Sequence, residues 1–140
     1  MKSILFILAL MILSPLRAVK IELKVNGLTN NRGLVQVAIW SGANGFPDDY
    51  RRAKFLRTVS LDNLDSIIFQ DVDRGEYAIA VYHDENEDAV LNTSRFGIPK
   101  EGFGFSRNPR IRFGPPKFEK AKFSVQENQK VQTTVTINYP

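Results

Sequence analysis

The chain has 140 residues, 43% of them hydrophobic, a formal net charge of +4 and no cysteine. Without cysteine, disulfides and a lipid-modified N-terminal thiol are excluded, so packing has to hold the fold together. The length fits one domain, and so small a net charge does not argue for nucleic acid as a partner.

Lys2, the apolar run over residues 4–13, the Ser14-Pro15 break and the small residue Ala18 follow the order of a secretory signal peptide. The run falls short of the ~18 apolar residues needed to span a bilayer. Residues 1–18 are therefore expected to be a cleaved leader, and residues 19–140 a mature domain exported to the periplasm or beyond, with no integral membrane span. Loss of Lys2 and Arg17 lowers the net charge to +2.

Period-2 alternation begins at once, with Ile21, Leu23 and Val25 on one face and Lys20, Glu22 and Lys24 on the other. A turn over residues 27–33 leads to a second strand over 34–40, and a loop built on Gly42, Gly45 and Pro47 follows. Helical character is confined to about residues 48–54. Residues 55–61 and 66–72 predict two strands around Asp62-Asn63. After the turn Asp73-Arg74-Gly75, residues 76–83 place Tyr77, Ile79 and Val81 on one face and the small Ala78 and Ala80 on the other. Residues 118–125 and 130–138 complete the pattern. Seven short strands in one domain predict an all-β, seven-stranded antiparallel sandwich of the immunoglobulin or transthyretin kind.

Between the fifth and sixth strands lies a long loop insertion, residues 84–116, far longer than the ~12–15 residues of an ordinary connection. Phe96, Phe103, Phe105 and Phe113 supply the apolar area to pin it to the body, at roughly 150–250 Å² for each buried ring. At its start, Asp84, Asn86, Asp88 and Asn92, with the carbonyl of Val90, have the spacing by which a curved loop directs oxygens at calcium. Ala89 stands where such loops use Gly, and Arg95 where they use a bidentate Glu. The same residues also suit a loop in which Asp and Asn cap their own backbone.

His83, the single histidine, ends a strand beside Asp84, where it can serve as a general base, a metal ligand or a packed structural residue. One histidine and no cysteine exclude a zinc spacing. Gly104-Phe105-Ser106-Arg107-Asn108 lacks the second Gly of a nucleophile elbow, and Gly102-Phe103-Gly104 opens no phosphate-cradling helix. Arg95, Arg107, Arg110 and Arg112, interleaved with the four Phe rings, suit either a stacking and anion-binding surface or inward-packed rings with paired guanidiniums. Nine acids against Arg74 between residues 62 and 88 face eight bases against two acids between 95 and 122. Two neighbouring stretches of opposite sign suggest that the basic one lies across the acidic turns.

Val25-Asn26-Gly27-Leu28, Gly33-Leu34-Val35-Gln36-Val37-Ala38, Gly45-Phe46-Pro47, the run from Gly75 through His83-Asp84-Glu85-Asn86, Phe96-Gly97-Ile98-Pro99, Glu101-Gly102-Phe103-Gly104-Phe105-Ser106 and Phe113-Gly114-Pro115-Pro116 occur in that order. This series closely resembles the bacterial domain of unknown function 2141 over essentially the whole mature chain. The resemblance implies an exported bacterial protein of a family without an established activity. It also implies Gly and Asp at the positions held here by Ala89 and Asn92.

The expected function is a non-catalytic binding or accessory module for a small-molecule, glycan or envelope-protein ligand. Its surface combines the acidic loop with His83, Arg95, Phe96, Phe103, Phe105 and Arg107, and calcium is the candidate cofactor. Two competing readings are a hydrolase-like enzyme using His83 with Asp84 or a bound metal, and a structural envelope protein whose insertion only covers an edge strand.

Overall fold

Side-chain alternation decides which face of each strand is buried, and here it builds two sheets around one shared core. The structure, a computed structural model, describes residues 19–140; the expected leader, residues 1–18, lies outside them. The strands are β1 (Val19–Asn26), β2 (Leu34–Trp40), β3 (Phe55–Val59), β4 (Ile67–Val72), β5 (Gly75–Asp84), β6 (Phe103–Phe105), β7 (Phe123–Val125) and β8 (Lys130–Thr136), with one short helix α1 (Phe118–Ala121). The first sheet has the order β4-β1-β8 and the second β3-β2-β5-β6, with β7 also pairing with β5. Most pairs are antiparallel, but β1 runs parallel to β8 from Lys20 opposite Lys130 to Asn26 opposite Thr136. No helix among the described residues is long and apolar enough to cross a membrane.

Ile21, Leu23 and Val25 of β1 meet Val35, Val37 and Ile39 of β2 and Tyr77, Ile79 and Val81 of β5 in the central core. Each fully buried aliphatic side chain of this kind contributes roughly 1.5–3 kcal/mol. The second sheet is also covered on its outer face. There the small Ala38, Ala78 and Ala80 leave room for Trp40, Phe105 and Phe118 to pack as a second cluster, with Phe46 and Tyr50 half-buried against it. Phe46 stands edge-on to Trp40, Phe105 and Phe118 at centroid distances of 5.3, 6.0 and 5.8 Å, the geometry that aromatic quadrupoles favour.

Two expected elements differ. Residues 118–125, expected as one strand, divide into α1 and the three-residue β7. Phe118 and Ala121 are both buried, a spacing of three that suits a helical turn, whereas only Phe123 and Val125 alternate as a strand requires. The insertion itself contributes β6, so the strands number eight, and its four Phe rings divide. Phe105 is buried and Phe103 half-buried, but Phe96 and Phe113 are 76% and 98% exposed.

The insertion turns inward because β5 demands it. From Tyr77 to Asp84 this strand is buried without a break, and buried backbone donors and acceptors have to be paired. Strand β2 lines one edge. Along the rest, β7 pairs with Gly75–Tyr77, β6 with Ala80, Val81 and Tyr82, and the Gly102 carbonyl accepts from His83 N–H at 2.8 Å. Between β6 and β7 the Ser106 hydroxyl fills the gap: it accepts from Ile79 N–H at 2.9 Å and donates to the Ala121 carbonyl at 2.6 Å. Gly104 is needed where β6 passes β8, because a Cβ there would lie 2.5 Å from the Thr136 carbonyl oxygen. The Asn108 side chain then continues the pairing onto β8, donating to Thr134 O at 3.1 Å and accepting from Thr136 N–H at 2.8 Å.

Two predictions follow from these bonds. Ser106→Ala orphans Ile79 N–H and Ala121 C=O, and at about 1–3 kcal/mol for each buried unpaired group it is expected to lower the urea midpoint clearly with an unchanged m-value. Glu22 on β1 accepts from Ser66 and Gln132 and pairs with Lys130. The bond from Lys130, then those from Gln132 and Ser66, bring its carboxyl from 4.5 down to about 2. Folding therefore favours the ionised form: the stabilisation is complete above about 4.5 and is lost as pH falls toward 2. Thermal melts across that window are expected to show a shallower acid decline in Glu22→Gln than in the parent chain.

Candidate functional site

Asp84, the last residue of β5, is fully buried, and its carboxylate points back into its own loop. Oδ1 accepts from Asp88 N–H at 3.1 Å, and Oδ2 accepts from Ala89 N–H at 2.9 Å and from the Gln36 amide at 3.0 Å. The other loop side chains form a separate group. Asp88 Oδ2 accepts from the Asn86 and Asn92 amides at 3.0 and 2.9 Å, and Asp88 Oδ1 accepts from Val90 N–H at 2.9 Å. These bonds, that of Asn92 foremost, hold the Asp88 carboxyl below its ordinary range. Val90 contributes its N–H to this network while its side chain is exposed. Ala89 sits at φ +60°, the left-handed conformation expected of Gly at that position.

Glu101 completes the loop from the far side. Buried to 6% exposure, it accepts Glu85 N–H at 3.2 Å on one oxygen and Asn92 N–H at 3.0 Å on the other. Tested as a calcium cage, the donor set has Asp84 and Asp88 facing separate partners, with their oxygens already accepting N–H bonds. A hard cation, which takes 6–8 oxygens, would have to displace these. No group of three or more His, Cys, Asp or Glu side chains gathers among the described residues.

His83 is fully buried on the central-core side of β5. Its Nε2 lies 2.6 Å from the Arg32 carbonyl, which can only accept, so Nε2 carries the proton and donates. Nδ1 then accepts from the Tyr139 hydroxyl at 2.6 Å. The ring thus fastens the 29–32 turn and the C-terminal segment to β5, with both nitrogens engaged.

A concavity lies elsewhere, on the outer face of the second sheet, as a groove of about 1070 Å³. Its floor comes from Ala80, Tyr82, Phe103 and Phe105; Tyr50 and Asp48 stand on one side, and two stretches of the insertion, 91–99 and 108–115, together with the C-terminal residues 136–140, line the rest. The floor exists because alternation along β5 sends Ala80 and Tyr82 outward while Ile79 and Val81 fill the core. Burial, followed by the charge of Asp48, pushes the Tyr50 hydroxyl up to about 12. Burial also raises Tyr82, with smaller contributions from Tyr50, Asp84, Glu101 and Asp88. Both phenols therefore remain protonated donors at neutral pH.

Of the expected binding residues, Phe96, Phe103 and Phe105 reach this groove. Arg95 lies over the Phe96 ring at 4.8 Å. His83 and Asp84 are buried away from it, and Arg107 turns to the Lys122 carbonyl at 3.4 Å. The basic stretch meets the acidic one at a single ion pair among the described residues, Lys122 with Glu76. Among the described residues, Lys122 is the one base between 95 and 122 that forms ion pairs, with Glu76 at 3.8 Å and Glu119 at 2.8 Å. Asp65, Asp73 and Glu85 pair instead with Lys24, Lys54 and Arg32. Arg110 and Arg112 thus line the groove without an acidic partner. Tyr50, Tyr82 and Ile98 were not anticipated at a site. Only the outward parity of Tyr82, next to two alanines, offered a signal in the sequence.

No curated protein and no solved structure matches the chain. Residues 23–133 match the family described as uncharacterized protein conserved in bacteria (DUF2141). That match spans most of the chain, and the protein belongs to this family.

Proposed function

We propose that the mature chain is an exported, periplasmic or secreted, non-catalytic binding module on a sandwich of the immunoglobulin or transthyretin kind, and that its ligand seats in the groove. One observation carries this reading. The insertion leaves a concavity of about 1070 Å³ floored by aromatic side chains, the size and lining by which ligand sites are recognised. Phe96 and Ile98 on its margin are 76% and 56% exposed and share the groove lining with Phe103 and Phe105, a contiguous apolar patch of the kind that marks an interaction site.

The hydrolase reading has less support. A general base needs a nitrogen or oxygen within reach of substrate, and both His83 nitrogens and both Asp84 oxygens are occupied inside the protein. The structural reading accounts for residues 102–106, which cover the edge of β5, but not for the open stretches on either side of them. Calcium has the loop spacing in its favour, and the hydrogen bonds to Asp84 and Asp88 against it.

Three measurements test this. Amide chemical-shift mapping with panels of envelope-type small molecules and glycans is expected to move Tyr82, Phe96, Phe103 and Ile111 together. Shifts confined to the 84–92 loop would overturn the groove. His83→Ala removes a structural link, so it is expected to destabilise by about 1–3 kcal/mol with little loss of affinity for any groove ligand. A melting temperature that is the same in millimolar calcium and in chelator is expected from the self-bonded acidic loop; a rise with calcium would restore the metal as cofactor.

A further inference from the structure

We propose that the groove takes a small amphiphilic anion, an apolar chain or ring system ending in a carboxylate or a group of like charge. The inference rests on the groove being the binding site and names the chemistry it selects. Three features of the lining point to it.

The first is charge. Arg110 and Arg112 stand in the wall as exposed guanidiniums without an acidic side-chain partner among the described residues, against Asp48, the one acidic side chain of the lining. A guanidinium keeps its charge at any physiological pH and offers a planar fork that matches a carboxylate or phosphate. The second is the floor, where Ala80, Phe103, Phe105 and the half-buried Ile111 supply apolar surface beside the ring of Tyr82. The third concerns polar groups that are already committed. Asn108 uses its amide on the backbone of β8 at Thr134 and Thr136, and Asn138 donates to the Thr136 carbonyl. A sugar needs many free side-chain donors and acceptors around its hydroxyls, and here both amides are partly committed to the protein's own backbone. What remains is the phenols of Tyr50 and Tyr82, the hydroxyls of Thr93 and Thr136, Asp48 and the two arginines, on a surface that is more apolar than polar. That composition fixes one charged end of a ligand and leaves its body to burial.

Decanoate is a direct probe, with decanamide as its uncharged analogue. Decanoate is expected to shift the groove amides and to bind the parent chain more tightly than decanamide. The double variant Arg110→Gln, Arg112→Gln is expected to lose about tenfold or more in decanoate affinity, since one charge-assisted bond is worth at least 1.4 kcal/mol or so, and to bind decanamide unchanged. Both arginines are exposed and unpaired, so a matching thermal melt checks the variant's fold. Lys117→Gln, Lys120→Gln makes the same charge change away from the groove and should leave decanoate affinity intact.

Equal binding of decanoate and decanamide at the groove, or an unaffected arginine variant, would overturn the anion while leaving the groove as a binding site. Decanoate shifts mapping away from Tyr82 and Phe103 would remove the groove as well. Cosedimentation with phosphatidylglycerol vesicles, with no groove shifts from monomeric decanoate, would assign the arginines to a membrane surface and overturn the proposal.

Discussion

Strand β5 has no solvent-facing side over its last eight residues, and each backbone donor and acceptor along it has to find a partner within the chain. One edge is met by β2 over its full length. The other is met piecemeal, by β7, the Ser106 hydroxyl, β6 and the Gly102 carbonyl. A buried amide left unpaired costs about 1–3 kcal/mol, a large share of the ~5–15 kcal/mol that holds a domain folded. The long insertion is therefore not an appendage: its middle completes the sheet, and the rest of the loop hangs from that attachment.

The same requirement explains the polar residues with the most chemical promise. Asp84, His83, Glu101 and Ser106 are the buried polar side chains among the described residues. Each is saturated by hydrogen bonds, and no buried side-chain polar atom there lacks a partner. Asp84 and Glu101 collect the N–H groups of a loop that pairs with itself only at the Thr93–Pro99 bridge, Ser106 replaces a missing stretch of strand, and His83 ties down two distant segments. Their reactivity is spent on conformation. By contrast, the cations of the insertion are left exposed on a loop whose position the buried residues have fixed.

Elements with long, clean alternation were legible in the sequence. The faces of β1, β2 and β5 follow directly from Ile21-Leu23-Val25, Val35-Val37-Ile39 and Tyr77-Ile79-Val81. Pieces of three or four residues were not: a single turn at Phe118–Ala121 and the Phe103–Phe105 strand are too short for a period to declare itself. Nor could alternation show that Ala78 and Ala80 face a second cluster rather than water, although their small size is what lets the Phe105 and Phe118 rings approach. The parallel pairing of β1 with β8 depends on chain path. The sites divide in the same way. The acidic loop was found because its residues are neighbours in sequence, whereas the partners of His83 lie 51 and 56 residues away. The groove, assembled from four separate parts of the chain, has no linear signature.

Covering an edge with a returning loop has a geometric consequence. Strand β6 is only three residues long, so the chain must rise off the sheet on both sides of it, through residues 91–99 before and 108–115 after. Between these two rising stretches and the outer face of the sheet, a trough is unavoidable unless bulky side chains fill it. Here Ala80 is small, Phe96 is turned largely to solvent, and Phe113 leaves the surface altogether. Rings that had satisfied only the edge would have folded into that trough, since burying one contributes roughly 1.5–3 kcal/mol. The apolar area held open at the trough, beside two arginines with no acid to neutralise them, is thus a cost that edge protection alone leaves unexplained, and a ligand's apolar body and negative end would offset both parts of it.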